Sequence, residues 1–129
     1  MIIAVDTSAL AKLLVEEAES PRLRDELALG SAGGAEYAIS TIAAVELRRL
    51  ATRLGLDHDG VEPVIGRFHI VRLSEAVLQL AARLPHRHLG TLDAIHIATA
   101  LAVEAEALVS YDVRRSEAAE LEGLRVIAP

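Results

Sequence analysis

Carboxylates stand at four places in this chain where their type and setting suit a hard cation. Asp6 follows the apolar run Ile2-Ile3-Ala4-Val5, and Glu46 lies within Ala43-Ala44-Val45-Glu46-Leu47. Asp93 lies within Thr91-Leu92-Asp93-Ala94-Ile95, and Asp112 follows Ala107-Leu108-Val109-Ser110-Tyr111. Each is attached to a segment apolar enough to be a core element. Brought together they would repel one another unless a cation lay among them, and oxygen donors of this kind are what Mg²⁺ or Mn²⁺ takes. Such an ion offsets charge on a phosphate and eases the loss of a proton from water. With no Ser-His-Asp or Cys-His arrangement evident, metal-dependent phosphodiester hydrolysis is the natural reaction for the set.

Taken singly, each acid also has a structural explanation. Asp before a helix is a frequent cap or turn residue, although Thr7 and Ser8 can cap in its place and leave the Asp6 carboxylate free. Glu46 borders an apolar helix stripe and could pair with Arg49. Asp93 falls in the first turn after Thr91, where the helix dipole favours a negative side chain by about 0.3–1 kcal/mol. Its neighbours Leu92, Ala94, Ile95 and Ile97 nevertheless mark a largely buried helix, where an uncompensated carboxylate is costly. Asp112 could be a turn residue before Val113-Arg114-Arg115. Among the histidines, His86-Arg87-His88 reads as an exposed loop with Arg87 as a candidate phosphate or RNA contact, and His96 as a hydrogen-bonding residue of the helix layer. His58 and His69 carry no motif.

The elements that must position these groups alternate strand and helix. Ile2 to Val5 suits a buried strand, followed by a helix through Leu10, Leu13 and Leu14. Ser20-Pro21 opens a second helix that can stop at Gly30. Tyr37 to Ser40 makes a strand, and Thr41 caps a strong helix ending at Gly55. Asp57 to Phe68 reads as another helix, His69 to Leu73 as a strand, and Ser74 to Leu84 as a helix. Thr91 caps a long helix to about Glu104, Leu108-Val109 is a strand, Ser116 to Leu121 a helix, and Leu124 to Ile127 a final strand. This alternation predicts a parallel α/β sheet of about five strands with helices on both faces. Sites in such sheets lie at the carboxyl ends of the strands, at a topological switch point, where Asp6 and Asp112 fall.

Composition bounds the rest. With 129 residues and 52% hydrophobic content the chain can build one domain, spanning residues 1–129, with a real core. Tyr37, Phe68 and Tyr111 are its aromatic inventory, too few for the stacking platforms of many single-strand binders. There is no cysteine, so no disulfide or thiolate site exists, and a reducing, cytoplasmic setting is expected. The opening residues carry no basic leader, and no apolar run approaches the roughly 20 residues that span a bilayer; neither export nor membrane insertion is expected. A formal net charge of −6 argues against a broad footprint on nucleic acid. The pairs Arg48-Arg49 and Arg114-Arg115 read as solvated helix surface with some capacity for phosphate.

As a set, V-D-T-S-A, A-V-E-L, T-L-D-A-I-H-I-A and L-V-S-Y-D resemble, in order and spacing over the whole chain, the PIN-domain family and especially the VapC ribonuclease toxins of toxin–antitoxin pairs. The resemblance implies that Asp6, Glu46, Asp93 and Asp112 form an acidic quartet that is both catalytic and metal-binding. It makes Ser8 the hydroxyl supporting the first acid, and Ser110 the small polar residue two positions before the last. Asp112 matches least well, because Val113-Arg114-Arg115-Ser116 departs from the usual turn. The implied activity is endonucleolytic cleavage of RNA with Mg²⁺ or Mn²⁺, leaving a 5′-phosphate and a 3′-hydroxyl. The implied partners are RNA, a VapB-like antitoxin and a second copy of the chain. A non-catalytic PIN-like binding module is the alternative. A phosphatase or receiver fits worse, since Ser8 stands where the former needs a second Asp and Lys12 is the only lysine.

Overall fold

The apolar, β-branched runs form five short strands: β1 (Ile2–Val5), β2 (Glu36–Ser40), β3 (His69–Val71), β4 (Ala107–Val109) and β5 (Arg125–Ile127). They make one sheet, parallel throughout, in the order β3-β2-β1-β4-β5. The computed structural model describes residues 1–129. Seven helices cover the sheet: α1 (Thr7–Leu14), α2 (Ser20–Ala32), α3 (Thr41–Arg53), α4 (Glu62–Ile65), α5 (Glu75–Arg83), α6 (Thr91–Ala102) and α7 (Val113–Leu121).

Successive strand residues face opposite sides, and the sequence uses this to build two cores. Ile3, Val5, Tyr37, Ile39, Ala107 and Val109 pack with Ala9, Leu10, Leu23, Ala43, Leu47, Val64 and Ile65 of α1 to α4. Ala4 and Leu108 face the other way, onto Ile97 and Ala100 of α6 and Ala118 and Ala119 of α7. Helices on both faces satisfy strands that are apolar on both sides, as expected of a parallel sheet. The chain grows outward from β1 through β2 to β3, then returns to place β4 on the opposite side of β1. The switch point therefore lies between β1 and β4, whose carboxyl ends carry Asp6 and Asp112.

Several element boundaries differ from the sequence reading for identifiable reasons. Helix α2 does not stop at Gly30 but runs to Ala32; the glycine serves packing, since a Cβ there would meet the Tyr37 hydroxyl at 1.9 Å. Residues 57–68 hold only a 3₁₀ turn at His58–Gly60 and the single turn α4. Ser40, not Thr41, caps α3 by accepting from Ala43 N, and Thr41 instead donates to Val71 O, tying the helix start to β3. Gly90, not Thr91, is the cap residue of α6. Helix α7 begins at Val113, three residues before Ser116, because Asp112 caps it. That last shift reorganises the site.

Candidate metal centre at the switch point

Asp6 is the first residue beyond β1 and is 1% exposed. Its carboxylate does two jobs. Oδ1 accepts from Ser8 Oγ at 2.6 Å and from Ala9 N at 3.2 Å, which makes Asp6 itself the cap of α1. The sequence reading gave that capping to Thr7 and Ser8. A carboxylate has a second oxygen, however, and Oδ2 still faces the cleft, where Arg115 Nη1 lies at 2.6 Å. Ser8, expected to support the first acid, donates to it and also accepts from Tyr111 N at 2.8 Å, clasping the ends of β1 and β4 together.

Asp93 sits in the first turn of α6 with its side chain 24% exposed. Its Oδ1 accepts from Arg115 Nε at 2.8 Å and Nη2 at 2.5 Å. Asp112, half-buried, caps α7 through Oδ1, which accepts from Arg115 N at 2.9 Å. Its own amide donates to Ser110 Oγ at 3.1 Å. Ser110, fully buried, thus fixes the turn in which Asp112 stands.

Glu46, on the second turn of α3, does not pair with Arg49. Its Oε1 accepts from Thr7 Oγ1 at 2.7 Å and from His96 Nε2 at 2.5 Å. His96 is buried, and its Nδ1 lies 3.3 Å from Ser40 Oγ. With the Ser40 hydroxyl donating to Nδ1, Nε2 carries the proton given to Glu46. Burial works to raise the Glu46 carboxyl, but the hydrogen bonds from His96 and Thr7 outweigh it and hold the group below the ordinary glutamate range. His96 therefore acts within the helix layer as expected, and the side chain it fixes is one of the four acids.

Arg115 is the functional residue that sequence reasoning missed. Read as solvated helix surface, it is 6% exposed and touches three of the four acids, Asp6 and Asp93 by its guanidinium and Asp112 by its amide. Burial opposes its charge, yet the charges and hydrogen bonds of Asp6 and Asp93 prevail and push its pKa above the usual arginine value. A signal for it existed: Arg115, Ala118 and Ala119 form an i, i+3, i+4 stripe, and these are the buried residues of α7. Shortening the helix to start at Ser116 hid that stripe.

Arg87 stands apart from the acids. It lines an open groove of about 580 Å³ with His86, His88, Arg114 and Glu117. His86 is not a free loop residue, for its Nε2 lies 2.8 Å from Glu122 Oε2 and pins the loop to the end of α7.

The donor set suits a divalent cation of the Mg²⁺ or Mn²⁺ kind. All four candidates offer hard carboxylate oxygens, and the chain has no thiolate. Positive charge is already present between Asp6 and Asp93 as the Arg115 guanidinium, a stand-in for such an ion. In this structure no three acidic or histidine side chains are grouped closely enough to hold a metal together.

Comparison with known proteins gives this geometry a context. The family model described as PIN domain matches residues 3–121. Ribonuclease VapC47 of Mycobacterium tuberculosis (strain CDC 1551 / Oshkosh) is 38% identical over 117 residues, covering 88% of this chain and 86% of that protein. Ribonuclease VapC46 of Mycobacterium tuberculosis (strain ATCC 25618 / H37Rv) is 37% identical over 98% of this chain and 97% of its own length. The fold is shared with VapBC2 from Rickettsia felis bound to a DNA fragment from their promoter, at a TM-score of 0.80 and 18% identity, covering 98% of each chain. It is also shared with the Sarcin-Ricin loop cleaving toxin VapC20 of Mycobacterium tuberculosis, at a TM-score of 0.74 and 18% identity over 98% of this chain and 99% of that one.

Proposed function

The chain belongs to the PIN domain family, and on that premise we propose that it is a metal-dependent endoribonuclease, the toxin of a VapBC-type toxin–antitoxin pair. The observation that carries the reading is the buried pairing of Asp6 with Arg115, beside Asp93 and Asp112 at the switch point. Capping α1 needs only one oxygen of Asp6, and taking the paired charges of Asp6 and Arg115 out of water costs several kcal/mol per ion, so the buried pair calls for a role beyond the cap.

Asp6, Glu46, Asp93 and Asp112 would hold Mg²⁺ or Mn²⁺. The cation supplies Lewis acidity toward a phosphate oxygen and toward the attacking water. The chain's own residues supply order. Ser8 and Ala9 N fix the orientation of Asp6, Thr7 and His96 fix Glu46 and keep it ionised, and Ser110 fixes the Asp112 turn. Each of these acids keeps at least one oxygen, or one lone pair, beyond its structural bonds. Arg87 and Arg114, sharing the groove beside α7, are suited to RNA phosphates as guanidinium forks.

Partners follow from the same surface. Val45, Leu92 and Val113 are 52%, 47% and 70% exposed, and each adjoins an acid of the quartet in sequence, Glu46, Asp93 and Asp112 respectively. A VapB-like antitoxin segment with an apolar stretch and a basic residue would suit exposed apolar side chains that neighbour acids in this way. A homodimer is proposed on family grounds, and no helix is long and apolar enough to cross a membrane.

The test is cleavage of total RNA by antitoxin-free protein, with Mn²⁺, with EDTA, and with an Asp93→Asn variant in parallel. Discrete products that require both the metal and Asp93 are expected. Equal cleavage in EDTA, or by Asp93→Asn, would overturn the metal-centre reading.

A further inference from the structure

We propose that Arg115 is a tethered competitor of the metal: its guanidinium holds Asp6 and Asp93 in the metal-free protein and must give up these carboxylates, at least in part, as a divalent cation binds. The inference rests on the metal-centre reading above and adds a device that sets metal affinity from within the chain.

Three features of the geometry support it. First, the guanidinium uses Nη1 on Asp6 Oδ2 at 2.6 Å, and Nε and Nη2 together on Asp93 Oδ1. Those contacts engage the cleft-facing oxygen of Asp6, whose other oxygen is already committed to Ser8 and Ala9 N. A cation that uses Asp6 therefore meets Arg115 on the same atom. Second, two like carboxylates that share a buried guanidinium gain a counter-charge they would otherwise lack. Removing it leaves them to repel, and a cation is the species that relieves that repulsion. Third, the backbone of Arg115 is tied separately from its side chain, its amide donating to the capping carboxylate of Asp112. The side chain beyond Cβ is held by the two acids alone among its polar contacts, so it can swing away without unwinding α7.

Displacement costs affinity in a definable way. If the carboxylates are free of Arg115 in a tenth of the molecules or fewer, the apparent dissociation constant for metal is raised at least about tenfold over that of the open site. The freed guanidinium stays on α7 next to Arg114 and the groove shared with Arg87, where a phosphate of bound RNA could take it. Metal and RNA would thus load the site together better than either alone.

The experiment is Mn²⁺ titration of the full chain without RNA, by calorimetry and by thermal melting, for wild type, Arg115→Met and Arg115→Lys. The Met variant is expected to melt lower than wild type in EDTA, to bind Mn²⁺ at least about tenfold more tightly, and to gain more in Tm from saturating Mn²⁺. The Lys variant, which keeps the charge but loses the fork, should fold in EDTA and fall between the two in affinity. Its affinity provides the readout if Arg115→Met fails to fold without metal. Equal or weaker Mn²⁺ binding by the folded variants would overturn the competition while leaving the metal centre intact. Absence of Mn²⁺ binding by wild type and both variants would overturn the metal centre itself, and the competition with it.

Discussion

At the carboxyl end of β1, Asp6 caps α1, and at the end of β4 beside it, Asp112 caps α7. Both acids cap with Oδ1, and both turns contain a serine hydroxyl, Ser8 or Ser110. The outcomes differ. Asp6 is 1% exposed and its second oxygen is taken by Arg115, whereas Asp112 is half-buried and its second oxygen makes no hydrogen bond within the chain. The β1 end also reaches a third acid, through Thr7 to Glu46. The same capping device thus serves a deeply desolvated charge in one place and a solvated one in the other, and only the first needs a partner to exist.

The largest expected effect separates the two caps directly. Asn caps as well as Asp, so Asp6→Asn and Asp112→Asn should both keep their helices. Asp6→Asn, however, strips Arg115 of a buried counter-charge and is expected to cost about 3–5 kcal/mol in urea unfolding with EDTA. Asp112→Asn should cost less than about 0.5 kcal/mol. Equal losses would break the comparison.

A smaller effect tests the serines. Ser8→Ala removes a donor from Asp6 and leaves the Tyr111 amide without its partner, at about 2 kcal/mol. Ser110→Ala removes a single acceptor and is expected to cost about 1 kcal/mol by the same measurement. The reverse order would mean that the clasp between β1 and β4 is not where the ends are held.

Thr7→Val should have the smallest effect on stability, less than about 1 kcal/mol, with its signature in pH. Burial raises the Glu46 carboxyl, while His96 and Thr7 lower it further than burial raises it. Because the folded value is depressed, the stabilisation is complete above the ordinary glutamate value of about 4.3 and is lost as pH falls through the folded value. Removing the Thr7 donor moves that loss, and the acid limb of the proposed RNA cleavage, to higher pH. His96, Arg115, Asp6 and Asp93 also face this region, so the comparison is between Thr7→Val and wild type at each pH. An unmoved acid limb would show that Glu46 is not the titrating group.

The sheet, its covering helices and the placement of Asp6 and Asp112 beyond neighbouring strand ends were legible because they depend on period and spacing. Ile3, Val5, Ile39 and Val109 alternate with residues facing the second core, Asp6 follows directly from β1, and Asp112 stands three residues beyond β4. What could not be read was which of several equivalent hydroxyls or charges takes a given bond. Ser40 took the cap expected of Thr41, and Asp6 kept the cap expected of Ser8. Arg115 was illegible for a linked reason: adjacent arginines look alike until the start of α7 is known, and a helix begun three residues late turns its buried face into solvent. Gly30 shows the same limit, since its place inside α2 depends on Tyr37 from another element.

The contacts that complete the centre join residues 103 and 109 positions apart, Ser8 with Tyr111 and Asp6 with Arg115. Pairings of such separation close late, because the loop between them must first be ordered. During synthesis the first acid leaves the ribosome long before its partners, at about 5–20 residues per second. A nascent chain therefore carries no assembled centre until α7 has emerged. On the proposed reading as a ribonuclease, the chain would have no assembled centre with which to cut its own message until translation has passed α7.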